Sequence, residues 1–248
     1  MKRFTQILAF VFVTSSLAAQ MSIGIKSGIS VNKYSRSEVI NDEWDAPSTL
    51  GYSAGVALDI PFGGRMGIET GVYWTRKGSQ LESENSRFQL QDQNGETIGI
   101  WLNSTEKLNY LTIPVHLKMQ FRGKALGSFI MAGPEFNFAL GGTYSNSYVD
   151  QSGRVVQGAE DVLNANGVAT SGEIEFGSGA NDIYNSFDFG ISVGGGLFYE
   201  LEFGKVTFDA RYFFGMSNLI NTDDNDTKLK NKNLMIQVGY AIPLGGRW

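Results

Sequence analysis

Apolar residues recur at every second position in eight segments of the chain, roughly 23–31, 51–60, 66–77, 108–121, 128–140, 187–201, 205–215 and 233–244. A period of two puts alternate side chains on opposite faces of a β-strand. The connections alternate in length. They are short at 61–64, 122–127 and 202–204, and long at about 32–50, 78–107, 141–186 and 216–232. An even-stranded meander whose long loops share one end and whose termini share the other is the pattern of a transmembrane barrel. The prediction is therefore an all-β, eight-stranded antiparallel up-and-down transmembrane β-barrel with both termini periplasmic.

Parity assigns each side chain to lipid or lumen. Ile23, Ile25, Ile29 and Val31 oppose Gly24, Lys26, Gly28 and Ser30, and Tyr52, Val56, Leu58 and Ile60 oppose Ser53, Gly55 and Asp59. In the third segment Val72 and Trp74 oppose Glu69, Tyr73 and Lys77. In the fourth, Leu111, Ile113, Val115, Leu117, Met119 and Phe121 oppose Thr112, His116, Lys118 and Gln120. The sixth and seventh put Phe187, Ile191, Val206, Phe208 and Phe214 outside and Asp188, Ser192, Glu200, Asp209 and Arg211 inside. The fifth breaks the rule, because Phe129 and Met131 share parity with Glu135 and Asn137. A bulge near Gly133-Pro134 is expected to exchange the faces there.

The chain begins with basic Met1-Lys2-Arg3, an apolar run Ile7 to Val13 and small residues at Ser16-Leu17-Ala18-Ala19. This reads as a signal peptide over 1–19, followed by one barrel domain over 20–248. No later stretch reaches ~18 consecutive apolar residues, so no helical anchor is expected. Cysteine is absent, which excludes a disulfide framework. Loss of Lys2 and Arg3 leaves 18 basic against 25 acidic residues, a formal −7, which argues against nucleic acid as a partner. Glycine, 31 of 248 residues, exceeds the usual ~7%. At inward positions of a narrow barrel it relieves crowding. Counting back from Trp248, Leu244, Ile242, Tyr240 and Val238 alternate. A C-terminal strand ending in an aromatic residue resembles the signal read by barrel-assembly machinery, which is the first expected partner beside the outer-membrane lipid.

Four segments carry a resemblance: Gly24-Ile25-Lys26-Ser27-Gly28, Leu108-Asn109-Tyr110-Leu111-Thr112-Ile113-Pro114, Ala132-Gly133-Pro134, and Ala210-Arg211-Tyr212-Phe213-Phe214-Gly215-Met216-Ser217-Asn218-Leu219. In this order they resemble the recurring segments of the PorT-like outer-membrane barrels of Bacteroidota, over nearly all of the mature chain. Thr112 stands where that family often has an acid, and Ser30 where it often has Asn. The resemblance implies an eight-stranded outer-membrane barrel, usually of unassigned function. Its namesake takes part in a secretion system, which makes membership of a secretion or assembly complex, with envelope proteins as partners, the alternative role.

Eight strands enclose an interior that side chains fill. The inward Lys26, Glu69, His116, Lys118, Glu135, Asp209 and Arg211 therefore read as a structural lumen network; inward acids such as Asp209 or Glu69 are candidate counter-charges of Arg211, and the unknown shear leaves its partner open. His116 is the only histidine, and no serine beside it stands in a recognisable nucleophile context. A lipid-modifying enzyme is the weaker reading, and no catalytic, cofactor or metal residue is assigned. The run Asp223-Asp224-Asn225-Asp226 lacks the spaced ligands and glycine of an EF-hand and reads as a solvated loop tip. The segment 141–186 holds six acids and one base and reads as a mobile surface loop. Asn94-Gly95 between Phe88-Gln89-Leu90-Gln91 and Thr97-Ile98-Gly99-Ile100-Trp101-Leu102 predicts a hairpin that continues strands three and four above the membrane, with Ile100 and Trp101 packed on the neighbouring loop.

Overall fold

Each of the eight alternating segments forms a long strand in the computed structural model, which describes residues 21–36, 44–45, 48–83, 88–91, 97–165, 167, 169–177, 182, 184–221 and 228–245. The strands are β1 Ser22–Arg36, β2 Trp44–Asp45, β3 Thr49–Gly63, β4 Met66–Ser83, β5 Phe88–Gln91, β6 Thr97–Arg122, β7 Leu126–Val149, β8 Ser171–Ile174, β9 Phe187–Leu201, β10 Gly204–Gly215 and β11 Leu229–Pro243, with one helix, α1 Ala159–Ala165. The proposed leader, the acidic run 223–226, Asn94-Gly95 and Trp248 lie outside the described residues.

Sequence neighbours pair antiparallel around the ring β1-β3-β4-β6-β7-β9-β10-β11, and β11 pairs back onto β1 over Ser22↔Pro243 to Arg36↔Leu229. The ring is closed, so its barrel strands leave no edge within the wall. The short strands β2, β5 and β8 lie outside it on β4, β6 and β7. From Ile60 of β3, direct partners run Ile68, Leu117, Ala132, Val193, Tyr212, Leu234 and Val31, returning to β3 at Leu50, ten residues from the start. Eight strands with that stagger tilt by about 40° and leave an interior the width of packed side chains.

The line just traced consists of wall-facing side chains, mostly apolar. Outside, Ile25, Ile29, Val56, Val72, Leu117, Ile130, Val193, Phe208 and Val238 are exposed. In water that surface would be costly; against lipid it is matched. Aromatic side chains bound it at both ends. At the long-loop end Tyr52 and Trp74 stack edge to face at 5.0 Å, with the Arg76 guanidinium 5.0 Å above Tyr52, and Phe138 meets Phe187 at 5.4 Å. At the short-turn end stand Phe62, Phe121, Tyr199, Phe203 and Tyr240. Among the described residues no helix is long and apolar enough to cross a membrane.

The fifth segment departs from expectation. β7 pairs with β9 without a break from Leu126↔Tyr199 to Phe138↔Phe187, so no bulge lies at Gly133-Pro134. Phe129 and Met131 face the lumen beside Glu135 and Asn137, and with Phe198 of β9 they form a buried apolar cluster. The register shift in this part of the wall comes higher, where Asn109 and Tyr110 oppose Gly141 and Ala139 and leave Leu140 extra. A cluster between neighbouring strands inside the lumen stabilises inward apolar residues without any exchange of faces.

Three strands outrun the apolar band. β4, β6 and β7 continue together, with Gln80↔Thr105 and Trp101↔Val149 as partners, and β5 adds to β6 at Phe88↔Ile100 and Gln91↔Thr97. The two arms of the expected hairpin pair as β5 and the start of β6, and the taller ribbon is β6–β7. The segment 141–186, expected as a mobile surface loop, contains the end of β7, α1 and β8. Ile100 is buried with Tyr148 and Ala159, so this part of the ribbon packs on its neighbour. After β7, Asp150 accepts from the Ser152 hydroxyl at 2.6 Å and from the Ser152 and Arg154 amides. The Ser152 hydroxyl, then the Arg154 amide, hold its carboxyl below the ordinary range.

Candidate functional site

Inward alternation on eight strands brings charged side chains from distant parts of the chain into one column. All seven residues of the expected network are inward and buried. Lys26 of β1 donates to Glu69 of β4 at 2.6 Å and to Asp209 of β10 at 3.0 Å. Lys118 of β6 donates to the second oxygen of Glu69 at 2.7 Å and to Asp59 of β3 at 3.2 Å. The Lys118 ammonium also sits 4.3 Å from the centre of the Phe129 ring, so the apolar cluster and the ion network are one packed layer.

Arg211 reaches Glu135, at 3.3 Å, and neither Asp209 nor Glu69 is its ion partner. Asp209 sits on the same strand and face as Arg211 and is claimed by Lys26. The partner across the lumen depends on the stagger of the ring.

Four further charges complete the column. Lys205 donates to Asp59 at 3.1 Å. Lys77 donates to Asp188 at 3.3 Å, where the Asn231 amide and the Ser217 hydroxyl also arrive, each at 2.9 Å. Lys77 stands 3.9 Å over the Phe213 ring. The parity of Asp59, Lys77 and Asp188 already marked them inward, and Lys205 shares the parity of Asp209 and Arg211.

His116 has a serine beside it after all. Its Nε2 lies 2.6 Å from Ser192 Oγ and 3.4 Å from Glu135 Oε1, while Nδ1 has no partner. Ser192 stands on β9, remote in sequence, which is why no local context announced it. A serine–histidine–acid relay needs the acid on the ring nitrogen opposite the serine. Here both partners meet the same nitrogen, and all three side chains are sealed in the lumen, at 1%, 0% and 3% exposure. This arrangement orients the imidazole and differs from that relay in where the acid sits.

Above this column the lumen is capped. Tyr34, Leu108, Tyr110, Ile174, Tyr184, Leu219 and Leu229 form an apolar cluster drawn from the upper strands, β8 and the segments around 184 and 219. The Tyr34 and Tyr184 hydroxyls both donate to Glu106 Oε2, at 3.1 and 2.7 Å. Beside the cap a cavity of about 460 Å³ is lined by Glu106, Tyr144, Asn146, Glu173, Glu175 and Tyr184, among others. Among the described residues no group of three or more potential ligands is placed to hold a metal ion.

Solved structures similar to this chain include three of low identity. Neisserial surface protein A is 12% identical with a TM-score of 0.42, covering 89% of this chain and 96% of that one. Ail, the attachment invasion locus protein of Yersinia pestis, is 12% identical with a TM-score of 0.36, covering 90% and 99%. The outer membrane protease OmpT from Escherichia coli is 9% identical with a TM-score of 0.37, covering 91% and 97%. No curated protein matches the chain. The profile of the outer membrane protein beta-barrel domain matches residues 15–221, most of the chain, and the protein belongs to that outer-membrane family.

Proposed function

We propose that the protein is a non-enzymatic, non-conducting outer-membrane barrel that acts through the strands standing above its upper aromatic girdle. The observation that carries this reading is the filled lumen. Paired charges run along it from Asp59 to Asp188, the Phe129–Met131–Phe198 cluster of β7 and β9 fills part of it, and the Tyr34–Leu219 cluster caps it, while β4, β6 and β7 continue outward. A blocked interior leaves the extension as the surface available for contacts. The PorT-like segments support envelope proteins as partners, including those of a secretion or assembly complex, and the position of the long loops supports periplasmic termini.

Two measurements test this reading. Purified protein in planar bilayers should give no ion steps, and a photo-crosslinker at Gln89, an exposed position on β5, should yield discrete protein adducts in intact cells. Stable conductance without adducts would replace the contact role with transport. A change in the mass of envelope lipids on loss of the protein would reinstate the enzyme.

A further inference from the structure

On the outer face of the barrel, near the short turns, the wall carries a groove of about 370 Å³ lined by Met66, Leu117, Met119, Ile130, Ala132 and Val193, among others. Two neighbouring rows of outward side chains produce it. One row runs Met66, Met119, Ile130 and Gly195, and the next runs Ile68, Leu117, Ala132 and Val193, each residue directly opposite the one before it. Gly195 and Ala132, on adjacent strands, end short of their neighbours, so the wall is dented between Ile130, Leu117 and Val193. Those three side chains are 56%, 51% and 50% exposed, and nothing in the described chain covers them. An unfilled dent forfeits dispersion contacts along its whole lining, and a flexible hydrocarbon chain restores them without bringing a polar group into the wall.

The end of the groove nearest the short turns is cationic. Phe121 follows Met119 on the same face of β6, in the aromatic girdle, and the Arg65 guanidinium lies 5.8 Å from the centre of its ring. Met66, next to Arg65 in the chain, lines both the groove and the mouth of the barrel, a cavity of about 270 Å³ also lined by Asp59, Arg65, Gln120 and Arg122. The neighbouring charges are engaged elsewhere. Arg122 has Glu200 at 3.8 Å, and Asp59 is held by Lys118 and Lys205. Arg65 is exposed, and among the described residues no carboxylate pairs with it. We propose that the groove and Arg65 together hold one phospholipid of the leaflet at the short-turn end, with an acyl chain over Ala132 and Gly195 and the phosphate on the guanidinium. A guanidinium matches a phosphate with paired N–H donors. From Phe121 to Leu117 is about 13 Å along β6, so a chain that starts at the girdle runs the length of the groove. A soluble anion leaves the groove empty, a neutral lipid leaves Arg65 unmatched, and a second copy of the barrel sets that charge against an apolar wall.

The test uses the full-length protein folded in neutral detergent, titrated in native mass spectrometry with dioleoylphosphatidylglycerol and with dioleoylglycerol, which share both chains and differ in the phosphate. One phosphatidylglycerol per barrel should bind at least about tenfold more tightly than dioleoylglycerol, because only the former makes the charge-assisted contact. Arg65→Gln should weaken phosphatidylglycerol about tenfold and leave dioleoylglycerol unchanged. Ala132→Leu fills the dent and should weaken both lipids about fivefold, while Ala54→Leu, the same enlargement at an exposed outward position on β3, should change neither. The substituted side chains all lie on the outer surface, and the gel shift confirms that each variant is folded. Equal affinity for the two lipids, or affinity unchanged in Arg65→Gln or in Ala132→Leu, would overturn the proposal. Equal weakening by Ala54→Leu and Ala132→Leu would mark the lipid as part of the general surround, and a dimer that Ala132→Leu abolishes would assign the groove to a second copy of the chain; either result overturns it as well.

Discussion

Arg211 holds Glu135 at 3.3 Å in a lumen where both are nearly inaccessible, and the same Glu135 oxygen faces His116. Removing the guanidinium leaves a buried carboxylate facing only an imidazole, and breaking a buried pair typically costs ~3–5 kcal/mol. Arg211→Met should therefore lower the temperature at which the folded barrel loses its gel mobility shift, and the double variant Arg211→Met with Glu135→Gln should recover part of the loss. An unchanged temperature in the single variant would show that the pair contributes no stability. The direction of every candidate side chain was legible from parity alone. Which charge meets which was not, because partners on non-adjacent strands are fixed by the registers around the ring, which leave no local trace. Ser192 beside His116 is the same kind of miss, since 76 positions separate them in the chain.

At the scale of the element, β7 shows where alternation misleads. Phe129 and Met131 look wrongly placed beside Glu135 if the lumen is taken as uniformly polar, yet an apolar layer that also carries the Lys118 and Lys26 ammonium groups over the Phe129 ring is stable. Gly127 lies directly opposite Phe198, and a Cβ there would run into the Phe198 ring. Gly127→Val should drive Phe198 out of the cluster and open the lumen at that level. The expected readout is a lower gel-shift temperature together with faster deuterium exchange at Gly127 and Phe198, while exchange in β1 and β3 stays as before. The extension was legible only where a turn signal marked it. The upper part of β7, Thr143-Tyr144-Ser145-Asn146-Ser147, carries polar side chains at both parities. Its pairing with β6 therefore leaves no two-residue period to read.

For the whole molecule, closure and orientation are separate questions. Closure follows from the register, which pairs β11 with β1 along the full length of β1, and in lipid a closed ring is the only sheet that satisfies all of its backbone groups. Orientation rests on asymmetry. One end has turns of a few residues, as between β9 and β10, and the other carries the long ribbons, the cap and α1. Long connections of such barrels face the exterior. Cysteine at Gln151, in the exposed turn after β7, should react with a membrane-impermeant maleimide on intact cells, whereas cysteine at Lys124, in the exposed turn between β6 and β7, should react only after the outer membrane is permeabilised. Each variant acts as the accessibility control for the other, because both sites are solvent-exposed and differ only in the end of the barrel they mark. Labelling of Lys124→Cys alone on intact cells would invert the barrel. The cavity lined by Asp59 and Gln120 would then face the medium, and the ribbon of β6 and β7 would face the periplasm.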